Sequence, residues 1–189
     1  MLPSVEPQDR VENKLLAALS VEEYKHILPD LEQTSFSFGE CVYESSERPN
    51  YAYFPTTSIV SMVYTMINGA SAEMGMVGNE GLIGITLFTG GETSPNRAIV
   101  RHAGGAIRMK ASAFREEFRR GGSFQRLSLR YMQALLTQIS QKAVCNGLHS
   151  IEQRLACWLL MTHDRVGSEK LQVTQEFVST LLGVRREGG

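Results

Sequence analysis

Read for the spacing of its apolar residues, the chain changes period twice. From Val11 to Leu31 the pattern is helical, with Leu15, Leu16 and Leu19 followed by a break at Ser20, where Ser-Val-Glu-Glu offers a capping box through Glu23. Two short helices are expected there. Between Thr34 and Met109 the period becomes two: Phe36 and Phe38, Tyr51 and Tyr53, and Met74 and Met76 alternate, and β-branched residues cluster at 58–67 and 97–101. Turn chemistry punctuates these runs at Gly39, at Pro49-Asn50, Asn68-Gly69, Gly78-Asn79 and Gly90-Gly91, and at Gly104-Gly105. Short strands at regular intervals predict a closed or sandwiched β unit, with Met62, Met66, Met74 and Met76 as filling for its interior.

Helical spacing returns after Lys110, with a short helix near 112–120, a Gly121-Gly122 break, and a long helix from Ser123 to about Asn146. The long helix carries two apolar stripes. One holds Phe124, Leu127, Tyr131 and Leu135 and suits packing on the β unit. The other, Leu129, Met132, Leu136, Ile139 and Ala143, has the 3-4 spacing of a seam and predicts pairing with a second copy in a two-fold dimer. Asn146-Gly147 predicts a hinge at 146–149. Ser150, with Gln153 three residues on, predicts the start of another capped helix. A last short helix is expected from Thr174, as N-cap, to Gly183.

Charge adds an asymmetry that the overall balance of −1 conceals. Residues 1–96 hold 4 Lys+Arg against 13 Asp+Glu, a balance of −9, and residues 97–189 hold 15 against 7, a balance of +8. An acidic half joined to a basic half suits a protein whose C-terminal part meets phosphates. The three cysteines, Cys41, Cys145 and Cys157, have no disulfide or metal-ligand spacing and are expected as buried free thiols. His26, His102, His149 and His163 are isolated, and no nucleophile elbow, phosphate loop or dinucleotide fingerprint occurs. Glu73 and Glu80 could face a pocket, but without a base, metal or nucleophile beside them they define no reaction. The expectation is therefore a non-enzyme without a cofactor or metal. The N-terminal segment has no apolar stretch of a secretion signal, and no run approaches membrane-spanning length, which together predict a cytoplasmic protein.

The stretches SIEQRLACWLL at 150–160 and TQEFVSTLLGVRRE at 174–187, with FSFGE at 36–40 as a weaker third, resemble the Crp/Fnr family of bacterial transcription regulators. The resemblance extends over nearly the whole chain. It implies an α+β architecture: an N-terminal jelly-roll-like β-roll of the cyclic-nucleotide-binding kind with its leading helices (1–122), a long dimerisation helix (123–146), and a C-terminal winged helix-turn-helix (147–189), which is here only partial. It also implies a homodimer that reads a two-fold-related DNA site, with Arg186 and Glu187 matching the base-reading pair, Arg185 beside them, and Thr174 and Gln175 opening the preceding helix. Arginine can donate two hydrogen bonds to O6 and N7 of guanine, and glutamate can accept from the cytosine amino group.

This sequence departs from the family's pattern at two places. Leu82-Ile83 stand where cyclic-AMP-binding members have glycine and the ribose-binding glutamate, with Glu80 nearby. Asn96 takes the position of the phosphate-binding arginine and Arg97 falls one residue late, which on a strand turns its side chain to the other face. Glu80, Asn96 and Arg97 are the candidate effector-site residues, for an effector other than cyclic AMP. Secondly, Gly188-Gly189 follow after about one turn of the recognition helix, where the family continues that helix into a β-wing. An incomplete reading head is expected, from a fragment or an altered reading frame. A second reading stays open: a dimeric ligand-sensing or interaction module that does not read DNA.

Overall fold

The structure, a computed structural model, describes residues 12–166 and Val178. Two short helices, α1 (Lys14–Ala17) and α2 (Val21–Ile27), lead into seven strands: β1 (Leu31–Phe36), β2 (Cys41–Tyr43), β3 (Tyr51–Pro55), β4 (Ile59–Thr65), β5 (Ser71–Val77), β6 (Arg97–His102) and β7 (Gly104–Lys110). Three helices follow, α3 (Ala111–Arg120), α4 (Gly122–Leu148) and α5 (Ile151–Val166). The strands form two antiparallel sheets in the orders β1-β7-β3 and β2-β6-β4-β5. Facing sheets joined by short crossings, three residues from β3 to β4 and one from β6 to β7, make the sandwiched β unit that the alternation predicts.

Two cores hold these layers. Under the three-stranded sheet, Leu15, Leu16, Tyr24 and Ile27 of the leading helices meet Phe54, Phe114 and Phe124. The Phe114 ring lies 5.0 Å edge-on from Phe124 and 6.4 Å from Phe54. Between the sheets, Val60, Met62, Val77, Ile83, Ala98 and Val100 pack with Leu135 of α4. Side chains alternate along a strand, so the unbroken buried run at 59–63 requires cover on both faces of β4. Val60 and Met62 use the inner core, while Ile59 packs with Met76 and with Trp158 of α5.

Buried Asn13 joins the leading helices to the roll. Its carbonyl oxygen accepts from the amides of Leu15 and Leu16 at 3.1 and 3.2 Å, capping α1. Its amide nitrogen donates to the carbonyls of Pro55 and Gly81, both at 2.9 Å. All four hydrogen-bonding capacities of the side chain are used, as full burial demands.

Several expectations are met and several need correction. The Ser150 box forms in both directions: the Ser150 amide donates to Gln153 Oε1 at 2.9 Å and the Gln153 amide donates to Ser150 Oγ at 3.4 Å. The Ser20 box closes differently. The Glu23 amide donates to Ser20 Oγ at 3.2 Å, but the Glu23 carboxylate accepts from that hydroxyl and from the Ser123 amide, so it ties α2 to the first turn of α4. Helix α4 runs through Asn146-Gly147 to Leu148, and the chain turns at His149, which adopts an extended conformation. A single glycine costs a helix about 1 kcal/mol, too little to end an established hydrogen-bond ladder. Cys41 and Cys157 are exposed and Cys145 is half-buried, against the expectation of buried thiols. Met62 fills the interior as expected, whereas Met76 is buried on the opposite face of the sheet with Ile59 and Trp158, and Met66 lies exposed at the turn after β4, beyond the cover of either sheet.

Hydrogen bonds from the Ser123 and Ser20 hydroxyls and from the Ser123 and Phe124 amides outweigh desolvation and lower the Glu23 carboxyl from 4.5 to about 2. A depressed carboxyl stabilises the fold above its unfolded value, and the contribution is lost as pH falls through the folded one. Urea midpoints should therefore decline between about pH 4.5 and 2, and Glu23→Gln should flatten that part of the profile. An unchanged profile would mean that Glu23 does not hold α4.

Candidate functional site

The features that could carry regulation converge where the four-stranded sheet meets the two last helices. Strand β5 is an edge strand, and α4 runs along it. Gln138 Oε1 accepts from the Met76 backbone amide at 3.2 Å, supplying a partner that no strand provides. The approach is close: a Cβ on Gly75 would stand 2.7 Å from the same Gln138 oxygen, so a larger residue there would push the Gln138 amide aside. One turn further along α4, Lys142 Nζ pairs with Glu73, whose side chain is wholly buried and whose second oxygen accepts from Ser61 Oγ at 2.5 Å. A buried carboxylate without such partners would cost several kcal/mol.

The segment between β5 and the short helix Ile85–Leu87 forms the second part of the site. Its backbone receives Asn13 from one side and the ring of Tyr131 from another. The ring lies so near that a Cβ on Gly81 would sit 2.0 Å from it. Desolvation, with the Glu80 carboxylate adding to it, pushes the Tyr131 phenol far above its ordinary range, so it stays neutral. Glu80 itself accepts from Arg165 near the end of α5, at 2.8 and 2.9 Å, and from the Gly78 amide at 3.3 Å. Arg165 also donates to the Met161 carbonyl at 2.8 Å. Helix α5 is thus fastened to the roll by an ion pair at one point and by Trp158, packed on Ile59 and Met76, at another.

The candidate effector residues have separate partners. Glu80 engages α5. Arg97 forms a two-pronged pair with Glu44 at 2.7 and 2.9 Å, which raises its own pKa. Asn96 is buried, accepting from Ser94 Oγ at 3.3 Å and donating to the Arg97 carbonyl at 3.3 Å. Ile83 exchanges backbone hydrogen bonds with Tyr53 and is buried in the inner core. On α4, Phe124 and Leu135 are buried and Leu127 and Tyr131 half-buried against the roll, while Leu129, Leu136 and Ala143 are exposed and Met132 and Ile139 are intermediate. Thr174, Gln175, Arg185, Arg186 and Glu187 lie outside the described residues. Reading by sequence missed Asn13, Lys142 and Arg165, whose partners lie 42 to 85 residues away along the chain. Among the described residues no cluster of metal-ligating side chains occurs, and no helix is long and apolar enough to cross a membrane.

Solved structures place this architecture. A c-di-GMP-responsive global regulator, CLP, of Xanthomonas campestris superposes with a TM-score of 0.71 at 14% identity, over 89% of this chain and 87% of that one. A protein from Eubacterium rectale described as a transcriptional regulator of the crp/fnr family gives 0.71 at 12% identity, over 92% and 82%. A CRP-family transcriptional regulator from Thermus thermophilus gives 0.67 at 15% identity, over 82% and 78%. No model of a known protein family matches the chain, and no curated protein sequence does. The protein therefore has the Crp/Fnr fold, a cyclic-nucleotide-binding-like β-roll joined to a long helix.

The Glu80–Arg165 pair is mostly shielded, with 32% and 16% of the side chains exposed, and is worth roughly 1 kcal/mol at such a site. Glu80→Gln should loosen α5, seen as increased acrylamide quenching of Trp158, the single tryptophan, with the unfolding midpoint of the roll little changed. Unaltered quenching would show that Trp158 alone holds the helix.

Proposed function

We propose that the protein is a homodimeric transcription regulator of the Crp/Fnr type, in which the β-roll controls a DNA-reading unit that begins with α5. The observation that carries this reading is the pair of opposed faces on α4. One face is buried against the roll. The other leaves Leu129 42% and Leu136 50% exposed at heptad spacing, an arrangement that suits a seam with a second copy. Likeness in fold to transcription regulators along most of the chain supports the same reading. Arg185, Arg186 and Glu187 would read base edges, and Thr174 and Gln175 would lead the preceding helix onto the duplex. The effector would not be cyclic AMP, since Ile83 takes the ribose-binding position and Arg97 is already paired with Glu44.

Leu136→Glu places a charge in the proposed seam, and light scattering should show monomers at concentrations where the parent chain is dimeric. Dimers of unchanged strength would remove the seam. DNA binding by the full chain should weaken linearly in log affinity with log salt. Arg186→Ala should cost about 1–3 kcal/mol and relax preference at one base pair. A full chain that dimerises but binds no DNA at low salt would favour the interaction module instead.

A further inference from the structure

On the side of α4 turned away from the proposed seam, α1, the segment after β5 and the end of α5 border a groove of about 530 Å³. That volume lies within the range of small-molecule sites, about 300–1,000 Å³. Helix α4 lines it with Leu127, Arg130, Tyr131, Ala134, Leu135 and Gln138. At about 100° per residue these stand roughly 100–180° around the helix from Leu136, so a second copy on the seam would leave the groove open. Its walls are tied to one another before any guest arrives. The Lys14 amide donates to the Asn79 carbonyl at 2.7 Å, Glu80 accepts from Arg165, and Gln138 accepts from the Met76 amide. A site built in this way gives up little freedom on binding.

Charge decides what the groove suits. Glu80, the one carboxylate among its described lining residues, is matched by Arg165. Lys14 on α1 and Arg130 on α4 are exposed, and neither side chain has a hydrogen-bond or ion-pair partner among the described residues. Two unmatched cations on two different elements thus accompany an apolar floor that includes Ala18, Leu127, Ala134 and Leu135. This combination complements a dianion with an apolar body and disfavours a cation of the same shape. Lysine brings three N–H donors and arginine a planar fork, which together suit the oxygens of a phosphate. We propose that the groove binds a phosphate monoester with an apolar body, the body over Leu127 and Ala134 and the phosphate held by Lys14 and Arg130. Such a guest would touch α1, α4 and the Glu80–Arg165 fastening at once, and so bear on how α5 is held. Binding there rests neither on DNA reading nor on dimerisation.

Calorimetric titration of 1-naphthyl phosphate into the full chain should show one saturable site per chain. Naphthylmethylamine and inorganic phosphate should each bind at least roughly tenfold more weakly, the first for its charge and the second for its missing body. Lys14→Gln and Arg130→Gln should each weaken the ester by about three- to tenfold. Lys110→Gln, which removes an exposed cation at the end of β7, should leave it unchanged. Ala134→Trp, whose ring covers the floor, should abolish binding while circular dichroism stays that of the parent. Equal binding of the ester and the amine, or of the ester and inorganic phosphate, overturns the proposal. So does retained binding by a folded Ala134→Trp chain, or binding that weakens as protein concentration rises, which would put a second copy in the groove.

Discussion

An edge strand cannot be left with its backbone donors unmet beside an apolar core, and the arrangement of this protein follows from how β5 meets that constraint. The solution is a helix laid along the edge. Gln138 supplies a backbone partner, Gly75 permits the close approach, and Lys142 neutralises the one carboxylate that the strand buries. Once α4 is committed to the edge, its opposite side faces outward, and α5, turning back at His149, covers the outer side of β4 with Trp158. The continuous burial at 59–63, the outward stripe and the position of α5 all depend on that one contact line.

The division of charge along the sequence acquires a different meaning in three dimensions. Arg97 pairs with Glu44, Arg108 with Glu32, Lys142 with Glu73 and Arg165 with Glu80. Each pair joins a cation of the basic half to a carboxylate of the acidic half, so a sizeable part of the asymmetry is internal fastening rather than a surface held ready for phosphates. The cations that remain for a duplex are correspondingly fewer. The proposed contact of Arg185 and Arg186 with DNA, outside the described residues, rests on residue type and position.

Local signals were legible and distant ones were not. Ser20 with Glu23 and Ser150 with Gln153 announced helix starts because a capping residue and its partner lie three positions apart. The inward stripe Phe124, Leu127, Tyr131 and Leu135 could be read because helical periodicity is itself local. Lys142 meets Glu73 across 69 residues and Arg165 meets Glu80 across 85, and neither pairing has any signature in the chain. Grouping Glu80 with Asn96 and Arg97 followed family positions along the sequence, whereas the fold gives Glu80 a partner on α5. Asn146-Gly147 looked like a break because the composition there is that of a turn, yet propensity yields when the ladder on both sides is formed.

Helix α4 is 27 residues long, about 40 Å at 1.5 Å per residue, and its firm attachments are unevenly spaced. It is held at its first turn by Glu23, at mid-length by Tyr131 on Gly81, and for the last time by Lys142 on Glu73. The final six residues project past that fulcrum as a short lever arm of roughly 9 Å, ending at the turn into α5. A tilt of a few degrees about the last attachment would move the turn by only a fraction of an ångström. Mechanical amplification therefore cannot come from α4 alone; it must arise where α5 extends the arm, so the gain of any response is set by how stiffly the turn at His149 joins the two helices.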